Sequence, residues 1–556
     1  MPRKRKITDI SRDLPAPAEM SIVTTAPANT ACTDPLRLLP VECVSMIFQY
    51  LDASDLVRCE RISTSWQDYL RNWMAVSGLR LRFPAATQPK KTGDPSEAVK
   101  LFKSCAALTT GEPTAVRTMR ATSHCVAVAG NFMAWKEHET IFWKDLTHKE
   151  EGGLRRANKL EPRTPIKVTD TSPVRSITLS PAGHILIRTQ PESASRQPNG
   201  EEQDYLLSLE TGEELWRRKF DNYAVSIPGD YPLLFGENRL YYLALVVDEA
   251  LPAYLMALDI QTGQTLYTTA TPLNLFEGMG HVLGNPSRKR LSRNYSALVS
   301  AGGREALAIV GSTGVTHGTS NEASGSIFIF DGETGGLEQT VQVDLGQGQH
   351  GYLVSSDTKE EFALLSHAFD APTAITIHKF CAGPDGQFQL QAGGSRVVRW
   401  TNTTLRPESL AINPFSGCYA LTWLPGENIT NGLCVGALTT DPRHAFGQVH
   451  QDLQGTDTDA PAGTADNALF LAECLPVWRR VNDKMINQPW LFTKNPRYAP
   501  ARTDHHVHFL RDDRVLVEVA RKDEHLRRRD LRKYKYHVLD FGSRHRVADA
   551  GMAEEL

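Results

Sequence analysis

The segment YLLSLETGEELW, residues 205–216, decides the fold of most of the chain. An apolar run ends at the pair Thr211-Gly212, and a second strand-like run follows at once. Glycine suits such a turn because it has no Cβ and adopts positive φ without a clash. The same form returns in YLMALDIQTGQTLY at 254–267 and in SIFIFDGETGGLEQ at 326–339. These segments predict a repeated β-hairpin.

A second type of hairpin alternates with the first and consists of an apolar run, a turn and another apolar run. Its examples begin at Val126, Ile177, Leu233, Leu298, Leu353, Leu410 and Val507. Most starts are about 55 residues apart, and a four-stranded unit of that period is typical of β-propellers. We therefore expect a propeller of about seven four-stranded blades over residues 115–547, with a polar loop insertion at about 441–467.

The preceding residues have a helical pattern instead. Pro40 suits the first position of a helix, where its missing N–H has no partner in any case. Apolar residues then recur at steps of three and four, which places them on one helix face; they are Val41, Val44, Ile47, Phe48 and Leu51. Two shorter helices should follow, from about 53 to 61 and from Ser63.

A further helix is predicted in the linker at 78–114. Asp94-Pro95-Ser96-Glu97 is a capping-box pattern and should open a helix at about 94–108. Residues 1–34 and 548–556 are expected to be disordered because they are poor in periodic apolar residues. The basic run Arg3–Lys6 is either a nuclear import signal or a solvated charge run.

The stretch from Leu36 to Trp73 resembles the F-box. The likeness rests on Leu39-Pro40-x-Glu42, Ile47-Phe48-x-Tyr50-Leu51-Asp52, Asp55-Leu56, Arg61-Ile62-Ser63 and Trp66. It implies a three-helix F-box over 35–77 that docks on the Skp-type adaptor of SCF (Skp–cullin–F-box) ubiquitin ligases. By position, the adaptor-binding residues that it implies are Leu39, Pro40, Val44, Ile47, Leu51 and Leu56.

The size of this module supports a binding role independently. A unit of about 40 residues cannot bury all its apolar side chains within itself, and an exposed apolar stripe commonly marks a binding face. The alternative is that these residues only pack against the helix at 94–108. The later repeats are similar to quinoprotein-like and WD-repeat propellers through their Leu-Asp-x-x-Thr-Gly phrase. The fold class is thus multidomain, α plus all-β.

Composition and charge exclude several classes of protein. The net charge of −3 gives no overall attraction to nucleic acid or to an anionic membrane. The nine cysteines include no Cys-x-x-Cys pair, which argues against a zinc site and a disulfide framework. The apolar run Leu240–Val247 is too short to span a bilayer, and the N-terminus has no apolar secretory core. We expect a cytoplasmic or nuclear protein.

Three patterns that could carry chemistry are weak. Gly346-x-Gly348-x-x-Gly351 precedes a strand pattern rather than the helix that a dinucleotide site needs. The cluster His505, His506 and His508, followed by His525, His537 and His545, has no zinc-ligand spacing. The basic stretch Lys522–Lys535 is interpreted as a solvated loop or, alternatively, as a contact for an acidic or phosphorylated partner. No catalytic, cofactor or metal site is expected.

The leading hypothesis is a non-catalytic substrate receptor of an SCF-type ubiquitin ligase. The F-box would bind the adaptor and, through it, cullin, while the propeller would hold a target protein. A second hypothesis is a scaffold that pairs with the adaptor outside a cullin ligase. A third, a quinone-dependent dehydrogenase suggested by the Thr-Gly repeats, lacks the export signal and the adjacent cysteines of that family.

Overall fold

The computed structural model describes the chain in separate ranges, which are residues 34–86, 95–111, 113–121, 126–137, 140–146, 158–159, 174–189, 203–219, 223–224, 234–246, 253–272, 296–313, 324–344, 349–356, 358–368, 374–399, 407–423, 432–441, 468–471, 478–481, 484–487, 503–511, 513–521 and 533–542. The chain divides into two compact units between Tyr50 and Leu51. The predictions for residues 1–33, 442–467 and 548–556 lie outside these ranges. No described helix is long and apolar enough to cross a membrane.

The helices precede the strands. Two of the helices have an N-terminal side-chain cap. Asp34 accepts a hydrogen bond from the Leu36 amide (3.0 Å), and the Ser63 hydroxyl accepts one from the Trp66 amide (3.2 Å). The helices are α1 (Pro35–Leu38), α2 (Val41–Tyr50), α3 (Ala53–Cys59), α4 (Thr64–Trp73), a π-helical turn (Met74–Gly78), α5 (Leu79–Arg82) and α6 (Pro95–Thr109).

From residue 115 onward the described elements are strands. In chain order they are β1 (Ala115–Ala121), β2 (Val126–Ala129), β3 (Phe132–Glu137), β4 (Thr140–Asp145), β5 (Asn158–Lys159), β6 (Val174–Leu179), β7 (His184–Thr189), β8 (Gln203–Ser208), β9 (Glu214–Lys219), β10 (Tyr223–Ala224), β11 (Leu234–Phe235), β12 (Arg239–Val246), β13 (Ala253–Asp259), β14 (Thr265–Ala270), β15 (Ser296–Ala301), β16 (Arg304–Thr313), β17 (Ser324–Asp331), β18 (Leu337–Asp344), β19 (Gln349–Ser355), β20 (Glu361–Ala368), β21 (Ala374–Ala382), β22 (Phe388–Arg399), β23 (Pro407–Asn413), β24 (Cys418–Trp423), β25 (Gly432–Thr439), β26 (Ala468–Leu471), β27 (Trp478–Val481), β28 (Lys484–Asn487), β29 (Thr503–Arg511), β30 (Arg514–Arg521) and β31 (Lys533–Asp540).

These strands form a β-propeller whose sheets are antiparallel apart from one parallel pair, β22 with β26. Sheet I is β2-β3-β4-β5, sheet II is β6-β7-β8-β9, sheet III is β10-β12-β13-β14 with β11 also paired to β12, and sheet IV is β15-β16-β17-β18. A wide sheet has the order β19-β20-β21-β22-β26-β25-β24-β23, and β27 pairs with β28. The closing sheet, β1-β31-β30-β29, joins the first strand to the last three.

The number of separate blades differs from the prediction. Sheets I to IV and the closing sheet are five separate blades, so the prediction of about seven is wrong for the described strands. The hairpins that begin at Leu353 and Leu410 belong to one eight-stranded sheet, because β22 and β26 pair in parallel over Val397–Arg399 and Ala468–Phe470. Sequence periodicity shows local hairpins but not this pairing between distant strands.

The Thr-Gly turns have the conformation that the sequence predicts. Gly212, Gly263 and Gly335 all have positive φ, at 70°, 69° and 73°. In sheet III, Asp259 Oδ1 accepts hydrogen bonds from the Thr262 amide (2.7 Å) and hydroxyl (2.8 Å). The hydroxyl bond is the main reason that the pKa of Asp259 is lowered. Sheet IV has the same arrangement at its own aspartate, so an Asp-x-x-Thr-Gly turn ties β13 to β14 and β17 to β18.

In the strand that follows each Thr-Gly turn, one side chain forms a hydrogen bond to the next sheet. The Trp216 indole N–H donates to the Ile260 carbonyl (2.7 Å), and the Tyr267 hydroxyl donates to the Gly332 carbonyl (3.1 Å). The Gln339 amide group exchanges two hydrogen bonds with the Phe388 backbone (2.7 and 2.8 Å). Sheets II, III, IV and the wide sheet are therefore linked in sequence by one repeated contact, in addition to their apolar cores.

A buried ion pair lies between sheets II and III. The Arg188 guanidinium donates to both Asp204 carboxylate oxygens at 2.8 Å, and the Tyr242 hydroxyl donates to Asp204 Oδ2 at 2.9 Å. Burial raises the pKa of Tyr242 well above its usual value, so this hydroxyl keeps its proton. The buried Asp204 carboxylate thus accepts three hydrogen bonds, two of them charge-assisted from Arg188 and one from the neutral Tyr242 hydroxyl.

Sheet II has a weaker version of the turn, and this leads to a prediction. Ser208 stands where sheets III and IV have aspartate, and its hydroxyl accepts only a long bond (3.4 Å) from the Thr211 amide. We expect Ser208→Asp to raise the free energy of unfolding by about 0.5–1.5 kcal/mol, the usual net value of an added hydrogen bond. Urea unfolding of this variant beside Ser208→Ala measures the gain, and equal midpoints for the two variants would count against it.

Candidate functional site

Helix α2 has one face that is buried. Its first turn is closed by the Val44 amide, which donates to the Pro40 carbonyl at 3.1 Å, so the helical hydrogen bonding starts at the proline. Val44 and Phe48, four residues apart, are buried at 2% and 0% exposure. These two side chains therefore define a buried face of α2.

A second apolar stripe on α2 is exposed. Met46, Ile47 and Tyr50 expose 53%, 39% and 90% of their surface, and Cys43 is partly exposed. Because these four positions follow the i, i+3, i+4, i+7 spacing, they lie on one side of the helix. Leu38, Leu39 and Val41, just before and at the start of α2, are exposed as well. An apolar side on a helix that already buries another side is typical of a binding face.

The six residues that the F-box likeness implies for adaptor contact include both exposed and buried side chains. Leu39, Pro40 and Ile47 are exposed, and Val44 is buried. In the second unit, Leu51 is partly buried and Leu56 is fully buried in α3. Val44 and Leu56 thus support their helices from within, and adaptor contact at all six positions stays a prediction.

Sequence reasoning missed Met46 and Tyr50. It took the apolar residues of α2 as one face and assigned that face to the adaptor. The signal was present in the spacing of Cys43, Met46, Ile47 and Tyr50, because a helix with apolar residues on two sides cannot bury both in a small module.

In the second unit, α6 links the other helices. Phe102 of α6 is fully buried and meets Trp73 and Phe83 edge to face, at ring-centroid distances of 6.2 and 5.3 Å. The Glu60 carboxylate at the end of α3 accepts from Arg71 of α4 (3.2 Å) and from Lys103 of α6 (2.7 Å). Helices α3, α4 and α6 are thereby held as one layer.

This helical layer is attached to the wide sheet of the propeller. Ala85 packs into the apolar core of that sheet, and its carbonyl accepts a hydrogen bond from the buried Lys379 ammonium at 3.4 Å. The neighbouring Pro84 carbonyl accepts from Arg396 at 3.1 Å. Gly417 is required beside them, because it has φ +65° and a Cβ there would lie 2.7 Å from the Ala85 and Ala86 backbone.

Burial has a marked effect on Lys379. Loss of solvent, together with a smaller effect of the nearby Arg396, lowers the pKa of this lysine to about 8, and Glu361 opposes the change. At neutral pH the charged ammonium in this position therefore lowers the stability of the contact between the helical layer and the wide sheet.

The weaker candidates have the following outcomes. Gly351, the last glycine of the dinucleotide-type pattern, lies within strand β19 and not before a helix; Gly346 and Gly348 lie outside the described residues. In β29 the pairing register places His506 opposite Glu518 and His508 opposite Leu516. Among the described residues, no group of three or more His, Cys, Asp or Glu side chains could hold a metal ion. The basic loop 522–532 is outside the described ranges.

Comparison with known families bears on the helical region. Residues 36–73 match the F-box-like family model. This F-box-like segment contains α2, α3 and α4 and both apolar stripes of α2. It is a small part of the chain, and the comparison with curated proteins found no match.

Solved structures resemble the rest of the chain. The β-propeller domain of Cps50 (Swd1) from Myceliophteria thermophila is 13% identical, with 76% of this chain and 99% of that chain covered and a TM-score of 0.34. The β-propeller domain of the Trilobed protease from Pyrococcus furiosus is 10% identical, covers 78% and 97%, and has a TM-score of 0.34. Hsv2 from Kluyveromyces lactis is 7% identical, covers 73% and 96%, and has the same score. Similarity at this level supports no conclusion about function.

Proposed function

We propose that this protein is the substrate-recognition subunit of an SCF-type ubiquitin ligase. The exposed apolar stripe of α2, inside the segment that matches the F-box-like family model, is the observation that carries the proposal. In this role the F-box-like segment binds a Skp-type adaptor, and the propeller binds a target protein.

The chemistry of the stripe suits a protein partner. Met46, Ile47 and Tyr50 combine a flexible thioether, a branched aliphatic group and an aromatic ring with a hydroxyl. Large apolar and aromatic side chains of this kind supply most of the binding energy when a partner excludes water from them. Glu42 and Gln49 lie on another side of α2 and would remain at the rim of such an interface.

No catalytic residue is needed for this role. Ubiquitin transfer would depend on proximity, because tethering raises the effective concentration of target lysines near a conjugating enzyme held elsewhere in the ligase. The attachment of the helical layer to the wide sheet is consistent with such a role, since α3–α6 and the propeller belong to one compact unit.

The test is a pull-down of the adaptor with single charge variants of α2. We expect Ile47→Glu to lose at least about tenfold in adaptor affinity, because the interface would have to bury a carboxylate. The matched control Gln49→Glu adds the same charge to another exposed side of α2 and should bind as the parent does.

The outcomes separate the alternatives. Recovery of cullin together with the adaptor supports the ligase receptor, whereas adaptor without cullin supports a scaffold outside a cullin ligase. Equal adaptor binding by the parent and Ile47→Glu, or no adaptor with either, would overturn the proposed contact.

A further inference from the structure

Two buried thiols meet at one backbone carbonyl where the helical layer contacts the wide sheet. The Cys105 thiol of α6 donates to the Ser416 carbonyl at 3.4 Å, and the Cys418 thiol of β24 donates to the same oxygen at 3.7 Å. All three residues have 0% exposure. Because each sulfur lies within 3.7 Å of that oxygen, the two sulfurs are no more than twice that distance apart.

The turn that carries this carbonyl has a defined shape. Asn413 Oδ1 accepts hydrogen bonds from the Phe415 amide (3.0 Å) and the Ser416 amide (3.1 Å). The Gly417 amide donates to the Asn413 carbonyl (3.0 Å), and the Gly417 carbonyl accepts from the Leu438 amide of β25 (2.7 Å). The turn therefore holds the shared acceptor in one place, and the two thiols reach it from different layers of the structure.

We propose that Cys105 and Cys418 form a reversible disulfide when hydrogen peroxide reaches them, and that this bond fixes α6 to β24. Peroxide oxidises one thiol to a sulfenic acid and releases one water molecule. The second thiol then attacks the oxidised sulfur, the hydroxyl group leaves with the proton of that thiol as a second water molecule, and the S–S bond forms. The two thiols lose two electrons, which reduce the peroxide. Small thiols such as glutathione reverse the reaction by thiol–disulfide exchange.

The disulfide adds a covalent bond to a contact that otherwise depends on packing and hydrogen bonds. Lys379 and Arg396 hold the helical layer through the carbonyls of Ala85 and Pro84. Cys105 lies 311 residues from Ser416 in sequence, so a bond at this point closes a very long loop. Closing a long loop restricts the unfolded chain and stabilises the folded one. Oxidation should therefore strengthen the attachment of the helical layer to the propeller.

Burial determines how fast this reaction proceeds. Cys43 and Cys59 are partly exposed, so peroxide meets them directly. The buried pair reacts only when α6 and β24 separate locally, and such openings limit the rate. We expect the disulfide to form more slowly than the oxidation of the partly exposed thiols.

The test treats the full-length protein with hydrogen peroxide, blocks the remaining thiols with iodoacetamide after denaturation and maps the peptides by mass spectrometry. We expect a peptide that links Cys105 to Cys418 and that is lost after reduction with dithiothreitol. If no such peptide appears under conditions that oxidise Cys43 and Cys59, the proposal is overturned. This map of the parent protein decides the proposal even where a variant does not fold.

A pair of matched variants gives a second readout. Cys105→Ala removes one partner of the disulfide, and Cys434→Ala makes the same change at a thiol with 1% exposure in the core of the wide sheet. Peroxide should raise the Tm of the parent and of Cys434→Ala by several degrees and leave that of Cys105→Ala unchanged. An equal rise in both variants would contradict the assigned pair. The inference does not depend on adaptor binding by α2, which neither readout measures.

Discussion

Replacement of Asp204 by alanine should lower the free energy of unfolding by about 3–5 kcal/mol, the usual cost of leaving a buried charge without its partner. Arg188 and Asp204 are both buried, with side-chain exposures of 6% and 0%. Removal of the carboxylate would leave a guanidinium between sheets II and III, and it would also take the acceptor from the Tyr242 hydroxyl. Urea unfolding followed by tryptophan fluorescence would measure the loss.

A double variant separates the two contributions to that loss. Arg188→Met/Asp204→Leu removes both charges and keeps most of the volume, so it should recover much of the stability lost in Asp204→Ala. If the single variant lost less than about 1 kcal/mol, the pair would contribute little to the contact between these sheets.

The second large effect is the dependence of stability on pH at Lys379. The pKa of this lysine falls from 10.5 to about 8 on folding, so the unfolded chain binds its proton more tightly than the folded chain does. Stability therefore rises with pH between about 8 and 10.5, and the penalty is complete below pH 8. Lys379→Met removes this titration.

The expected measurement is a difference between two proteins. The quantity to compare is the free energy of unfolding of Lys379→Met minus that of the parent. This difference should be about 2 kcal/mol larger at pH 7.5 than at pH 10, because at pH 7.5 the parent carries the cost of the buried charge. Loss of the hydrogen bond to the Ala85 carbonyl shifts the comparison equally at both pH values, so the change with pH isolates the charge. A difference that did not vary with pH would contradict the assigned burial of the ammonium.

Local chemistry explains what the sequence could predict. The glycines of the Thr-Gly pairs require positive φ, and Gly212, Gly263 and Gly335 have it. The capping pattern at Pro95 precedes a helix that runs from Pro95 to Thr109. In each case the signal lies within a few residues, and tertiary contacts do not oppose it.

Contacts between distant residues explain what the sequence could not predict. The parallel pairing of β22 with β26 changes the number of separate blades, and no hairpin pattern carries it. Lys379 and Ala85 are 294 residues apart, so neither position indicates the other. At the candidate site the sequence identified the helix but not which of its apolar residues are exposed, because Val44 and Ile47 are both apolar and only the structure shows that Val44 is buried.

The pairing of β1 with β31 has a consequence for synthesis of the protein on the ribosome. Thr114 donates to the carbonyl of Asp540, 426 residues later. Strand β1 leaves the ribosome early, yet its only described neighbour in the sheet is made last. During translation β1 therefore stays without its partner strand β31 while the other blades form. Unpaired strand edges of this kind are prone to wrong pairing, against which chaperones protect nascent chains.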